Sequence, residues 1–168
     1  GLGFAAGVVR EITDQQLRST QDLANISRFP IIAAIPHTHE EGIPRDSEAG
    51  FVVAEYPNSR TAEEYRNLVA RVIYPTSSTQ ELSSIAVLGA SRADGKTTVA
   101  CNLAIALAEA GRRVLLLDLS SKRPAVEKAF GLEPGPGMAE ILLGDRTSQN
   151  IVHQTPFDTL HVIGPGLK

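Results

Sequence analysis

Nine consecutive residues, Ala90-Ser91-Arg92-Ala93-Asp94-Gly95-Lys96-Thr97-Thr98, have the types and spacing to hold phosphate. They follow an apolar run, Ile85-Ala86-Val87-Leu88-Gly89, and lead into a helical stretch of small residues, Val99 to Ala110. In a strand–loop–helix arrangement, backbone N–H groups wrap an anion and the helix N-terminus adds partial positive charge. Lys96 would then reach the β- and γ-phosphates of a nucleotide, and the Thr97 hydroxyl would ligate Mg²⁺. The usual spacing places a glycine where this chain has Ala90, and Gly89 stands one position early. The alternative is an ordinary strand-to-helix turn with a solvated Lys96. A glycine and two threonines are a poor start for a helix that binds nothing.

A second chemical position is Asp118, at the end of the apolar run Val114-Leu115-Leu116-Leu117. Ligands of parallel α/β sheets bind outside the carboxyl ends of the strands, so Asp118 would face the loop. A carboxylate there can hold Mg²⁺ or its waters, or accept a proton from an attacking hydroxyl. The alternative is a solvated strand-end Asp that makes a turn. Lys122 and Arg123 could contact phosphate or an acidic partner, or simply be solvated. His37-x-His39-Glu40-Glu41 has metal-ligating types, but no further ligand cluster stands near it, and a solvated segment is the better reading. Cys101, the single cysteine, reads as a buried structural thiol rather than a redox switch. Gly1-x-Gly3-x-x-Ala6 imitates a dinucleotide fingerprint, but no strand precedes it.

Several elements must position these groups. Strands are expected at Ile85–Gly89, at 114–119 and at Leu160–Ile163, with helices at 99–110, 125–130 and 137–143. Gly111 is a suitable helix stop. The 114–119 run is apolar throughout, as in a strand covered on both faces. Alternating strands and helices imply parallel, right-handed βαβ units. The expected class is α/β: a P-loop NTPase parallel sheet with helices on both faces, truncated, and preceded by a membrane-proximal helical segment. A helix over 61–74 would bury Tyr65, Leu68, Val69 and Val72 and carry intrahelical ion pairs on its surface. Residues 37–60, polar and rich in Pro, Gly and Ser, read as a linker. Before them, Ser19-x-x-Asp22 could cap a helix through Ser27, and Ile31–Ile35 reads as a brief strand. Gly1–Val9 carries no charge and Arg10 follows. That suits either the last turns of a membrane-spanning helix or a buried terminus.

The bulk properties set limits. The 168 residues allow one domain plus an appendage. A net charge of −3 without a basic block gives no case for nucleic-acid binding. One cysteine excludes a disulfide framework and fits a reducing compartment.

Gly95-Lys96-Thr97-Thr98-Val99-Ala100-Cys101-Asn102-Leu103-Ala104, then Val114 to Asp118 and Lys122-Arg123-Pro124, resembles the bacterial tyrosine kinase (BY-kinase) family. Other pieces match in order. Arg18 to Leu23 and Phe29 to Pro36 resemble the cytoplasmic exit of the attached polysaccharide chain-length determinant. Ala62-Glu63-Glu64-Tyr65-Arg66-Asn67-Leu68 resembles the helix before the kinase core. Phe130-Gly131-Leu132, Gly137 to Gly144 and Leu160 to Gly166 resemble later segments. The departures are specific. The family's Pro-Gly-Glu is Arg92-Ala93-Asp94 here, its second paired acid is Ser120, and the last arginine of its Glu-x-x-Arg-x-x-Arg helix is Val69. The family's later acidic strand and tyrosine-rich tail would lie past Lys168, and Tyr56, Tyr65 and Tyr74 do not replace that tail.

The resemblance implies an ATP-binding tyrosine autokinase domain in a membrane-anchored regulator of exopolysaccharide or capsule chain length and export. ATP and Mg²⁺ would be held by Ala90 to Thr98, with Lys96 and Asp118 catalytic and Thr97 and Asp118 on the metal. Residues 1–36 would be the end of a transmembrane helix and its cytoplasmic exit, 37–60 the linker, and 61–168 the N-terminal part of the kinase domain. The implied partners are further copies through the kinase domain, the polysaccharide polymerase and export machinery, and the inner membrane, with the kinase on the cytoplasmic side. Two rivals stand beside this reading: a degenerate chain-length regulator that binds ATP weakly or not at all, and a soluble partition- or division-type ATPase. A chain that begins at Gly1 reads as a piece or a processed product, expected to fold poorly alone and to transfer no phosphate.

Overall fold

The computed structural model describes residues 30–43, 51–74, 83–91, 93–120, 124–145 and 151–166. The chain divides into two compact units, Gly1–Ala34 and Ile35–Lys168. Of the first, the described residues 30–34 are irregular. The strand expected at Ile31–Ile35 is absent, and Ile31 and Ile32 are exposed, so burial does not hold that apolar run extended.

The second unit holds its helices where capping and apolar spacing agree. A short helix α1 spans Val52–Glu55, and α2 spans Arg60–Ile73. The Ser59 hydroxyl caps α2 by accepting the Ala62 N–H at 3.1 Å. Thr61, Ala62, Tyr65, Leu68 and Val69 form its buried face. Its Arg66 does not pair within the helix as expected. It reaches Glu109 at 3.4 Å and donates to the Pro57 carbonyl at 2.7 Å, because its own turn faces the neighbouring helix. That neighbour, α3, spans Lys96–Glu109 and is buried continuously from Cys101 to Ala106. A run of small residues lets α3 pack against α1 and α2 as well as the sheet. Gly111, at φ 77°, closes it in the left-handed conformation that glycine adopts freely.

The sheet has three strands among the described residues, in the order β1 (Val114–Leu117), β3 (Leu160–Ile163), β2 (His153–Gln154). β1 and β3 are parallel, with Val114 opposite Leu160 and Leu117 opposite Ile163. Between β1 and β2 the chain forms α4 (Val126–Ala129) and α5 (Met138–Leu143), both at their expected places. β2 runs antiparallel to β3, so the sheet is mixed rather than wholly parallel. A two-residue strand leaves no periodicity to read.

The larger departures concern the front of the sheet. Ile85–Gly89 forms no strand, and Leu88 is 88% exposed. β1 pairs with β3 on one side and with no described strand on the other. The 83–88 segment and β1 instead line one open cavity of about 1310 Å³. Without a ladder partner, the backbone groups of that segment have nothing to hold them extended. β1 is also not covered on both faces: its residues alternate half-buried and exposed, with Leu115 and Leu117 open.

The stretch expected as a linker carries structure as well. Thr38–Glu41 is a 3₁₀ turn, and Ile43, Val52 and Val53 are buried. Phe51 packs against Phe130 in a tilted pair at 4.6 Å and meets Phe157 edge-on at 6.4 Å between ring centres. Polar composition hid these few apolar anchors. The helix expected at 19–27, the Gly1–Val9 stretch, Arg92, Lys122 and Arg123 lie outside the described residues.

Candidate functional site

The loop from Ala90 enters α3 at Gly95, whose φ of 83° suits glycine and aims the first helical turn at the cavity. Ala93 also adopts a left-handed conformation, at φ 58°, which costs a residue with a Cβ about 1–2 kcal/mol. No side chain caps α3, so its leading N–H groups are presented for a ligand.

Lys96 is the first residue of α3 and Thr97 the second. Both line the same cavity as Asp118 and Ser120. One cavity is thus lined by the adjacent Lys96 and Thr97 and by Asp118, more than twenty residues further along the sequence. Ala90, Ser91, Ala93, Asp94 and Gly95 form the loop beside them, and Thr98 follows in the first turn of α3.

Asp118 is buried and accepts three backbone N–H groups. Its Oδ1 accepts the Ser120 N–H at 2.8 Å, and its Oδ2 accepts the Ala125 and Val126 N–H groups, each at 3.2 Å. The carboxylate therefore performs the turn-making role and holds the start of α4. A carboxylate offers about four lone-pair directions, so roughly one remains for a metal-bound water. Ser120 gives Asp118 its backbone, and its side chain brings no second charge. Oxygen donors such as Thr97 and Asp118 are the kind that Mg²⁺ takes, so these residues fit the metal. Among the described residues, no group of three or more His, Cys, Asp or Glu is placed to hold a metal ion, and His37-x-His39 forms no such centre. Glu41 instead receives the Arg60 and Thr61 N–H groups and the Thr61 hydroxyl at the start of α2.

Four residues have roles in the structure that the sequence did not assign to them. Asn102, fully buried, accepts the Val53 N–H at 3.0 Å and donates to the Thr98 carbonyl at 2.9 Å, tying α1 to the first turn of α3. A polar residue within a small apolar helix was its signal. Asp94, named only as a loop member, binds Lys96. Its signal was an acid directly before Gly-Lys. Glu127 is buried against Gly164, and only the fold brings it there. Glu41 capped a helix nineteen residues away, which spacing does not reveal. Cys101 is buried. Desolvation, with a smaller contribution from the Asp118 charge, pushes its thiol up to about 12, so it is inert at neutral pH.

A strand-end acid, an uncapped helix start and a lysine-bearing loop around one cavity define a phosphate-loop nucleotide-binding α/β domain. Residues 85–137 match the model of the CobQ/CobB/MinD/ParA nucleotide binding domain. The tyrosine-protein kinase YwqD of Bacillus subtilis is 31% identical over 110 residues, covering 66% of this chain and 46% of that protein. The succinoglycan biosynthesis transport protein ExoP of Rhizobium meliloti is 28% identical over 123 residues, covering 67% of this chain and 16% of that one. The crystal structure of the chimerical protein CapA2B2 aligns with a TM-score of 0.69 at 25% identity, covering 88% of this chain and 60% of that chain. The chain is similar to bacterial tyrosine kinases, the resemblance that the motif order carries. It spans under half the length of the two relatives named above.

Proposed function

We propose that this chain is the ATP-binding part of a protein-tyrosine autokinase that regulates exopolysaccharide or capsule chain length and export. The whole protein is anchored in the bacterial cytoplasmic membrane, with residues 61–168 on the cytoplasmic side and 1–36 leading from the membrane. Among the described residues no helix is long and apolar enough to cross one. The observation that carries the proposal is that Lys96, Thr97 and Asp118 all line one cavity that runs along β1. Its partners are further copies of the kinase domain and the polysaccharide machinery, a reading supported by relatives such as the succinoglycan transport protein.

In this scheme the N–H groups of the loop and of the first turn of α3 receive the phosphates. The Lys96 ammonium then swings from its own loop to the transferring group, where fixed charge lowers the barrier. Thr97 and Asp118 would hold Mg²⁺, which would supply charge neutralisation at the phosphates. Tyr65 is buried in α2, and burial pushes its hydroxyl up to about 12, so it is not offered as an acceptor. The test is calorimetric titration with MgATP. Lys96→Met loses a charge-assisted contact and should weaken binding about tenfold or more. Equal binding by the parent and Lys96→Met would overturn the proposal.

Ser120 favours a second reading, a regulator whose domain binds nucleotide weakly and serves assembly. Under it, Ser120→Asp should strengthen Mg²⁺-dependent ATP binding. An unchanged affinity removes that reading's support.

A further inference from the structure

Lys96 is engaged within its own loop. Its ammonium donates to the Ser91 carbonyl at 2.6 Å and pairs with Oδ1 of Asp94. The other carboxylate oxygen, Oδ2, accepts the Ser91 N–H at 3.0 Å. The same carboxylate lies over Gly89 so closely that a Cβ there would overlap it. A carboxylate thus rests inside the loop on a backbone N–H and on the lysine, the two kinds of donor that a phosphate group requires.

We propose that Asp94 is an internal anion of the phosphate loop, which a nucleotide must displace and which therefore sets how tightly the loop binds phosphate. The inference rests on the nucleotide-binding reading above and adds a competitor to it. The charge balance favours displacement by a triphosphate, because several negative charges replace one. Like charge from Asp94 remains nearby afterwards and opposes the ligand. The Lys96 hydrogen bond, followed by the Ser91 N–H, holds the Asp94 carboxyl below its ordinary value in the free chain.

Asparagine at 94 separates charge from shape: it still accepts the Ser91 N–H but neither neutralises Lys96 nor repels phosphate. The chain and its Asp94→Asn variant are titrated with MgATP and, separately, with inorganic tripolyphosphate, at low and at high salt. Asp94→Asn should bind both roughly threefold to fivefold more tightly, the scale of one exposed ion pair no longer broken on binding. The gain should shrink as salt screens the pair. A second readout needs no variant. The carboxyl of Asp94, followed by carbon-13 NMR, should titrate at higher pH once tripolyphosphate saturates the chain, because it loses Lys96 and gains a negative neighbour.

Unchanged or weaker binding by Asp94→Asn overturns the inference, as does an Asp94 titration that tripolyphosphate leaves in place. If the parent binds MgATP and either result occurs, this inference fails and the nucleotide reading stands. If neither the folded parent nor the folded variant binds MgATP, both fail.

Discussion

The two sides of α3 are finished to different degrees. Behind it, α1 and α2 are pinned by paired polar groups: Asn102 takes the Val53 N–H, Glu41 takes two N–H groups of α2, and Arg66 reaches Glu109. In front, no described strand pairs with the outer edge of β1, Leu115 and Leu117 are open, and the described segment leading into the phosphate loop forms no strand. A phosphate loop needs its helix fixed before it needs its strand, because the N–H groups that meet the anion belong to the helix start. The back of α3 therefore supplies the rigidity, and the front remains the place where binding and pairing act.

Substitution of matched leucines gives the largest test of that contrast. Leu160 in β3 is fully buried, whereas Leu115 in β1 is 52% exposed. Leu160→Ala should cost about 2–5 kcal/mol in chemical denaturation. Leu115→Ala should stay within about 0.5–1 kcal/mol. Equal losses would mean that the β1 face is covered in solution and the contrast is wrong.

Asn102→Leu comes next. It leaves the Val53 N–H buried without an acceptor, at a cost of about 1–3 kcal/mol. Hydrogen exchange should show opening concentrated in α1 and the first turn of α3. Uniform exchange along the chain would show that the back of α3 is not held by this residue.

Ala93→Gly acts at the front. Glycine relieves the left-handed strain at φ 58° but loses more freedom on folding, so the net gain should be about 0.5–1 kcal/mol or less. It should appear as a small rise in melting temperature. A fall would mean that the loop leaves this conformation in solution.

What the sequence disclosed follows the same division. The loop, α2, α3, α4, α5, β1 and β3 were legible, because 3.6-residue spacing, capping residues and the Gly-Lys-Thr signature are local. The irregular backbone at 85–89 was not, because an apolar run specifies extended backbone only where a neighbouring strand completes the ladder. The order within 37–60 was hidden because three apolar residues, Ile43, Val52 and Val53, anchor a polar stretch. At the site, Lys96, Thr97 and Asp118 could be named from their motif. The engagement of Asp118 with three backbone N–H groups, and of Asp94 with Lys96, depends on turns that no spacing encodes.

The smallest effect is the most specific to the back of α3. Glu41 caps α2 from nineteen residues away, and its carboxyl is held below the ordinary 4.5, chiefly by the Thr61 hydroxyl and then by the N–H groups of Arg60 and Thr61. A carboxyl whose value is lowered by folding stabilises the fold above its unfolded value and loses that contribution as pH falls through the folded one. Glu41→Gln should therefore melt slightly below the parent at neutral pH, and the difference should close as the pH falls below 4.5. Salt should narrow it only modestly, because hydrogen bonds rather than a distant charge provide the effect. A difference that persists unchanged to low pH would show that Glu41 acts through packing alone. The stretch ahead of α2 would then be held by Ile43, Val52 and Val53, not by the cap.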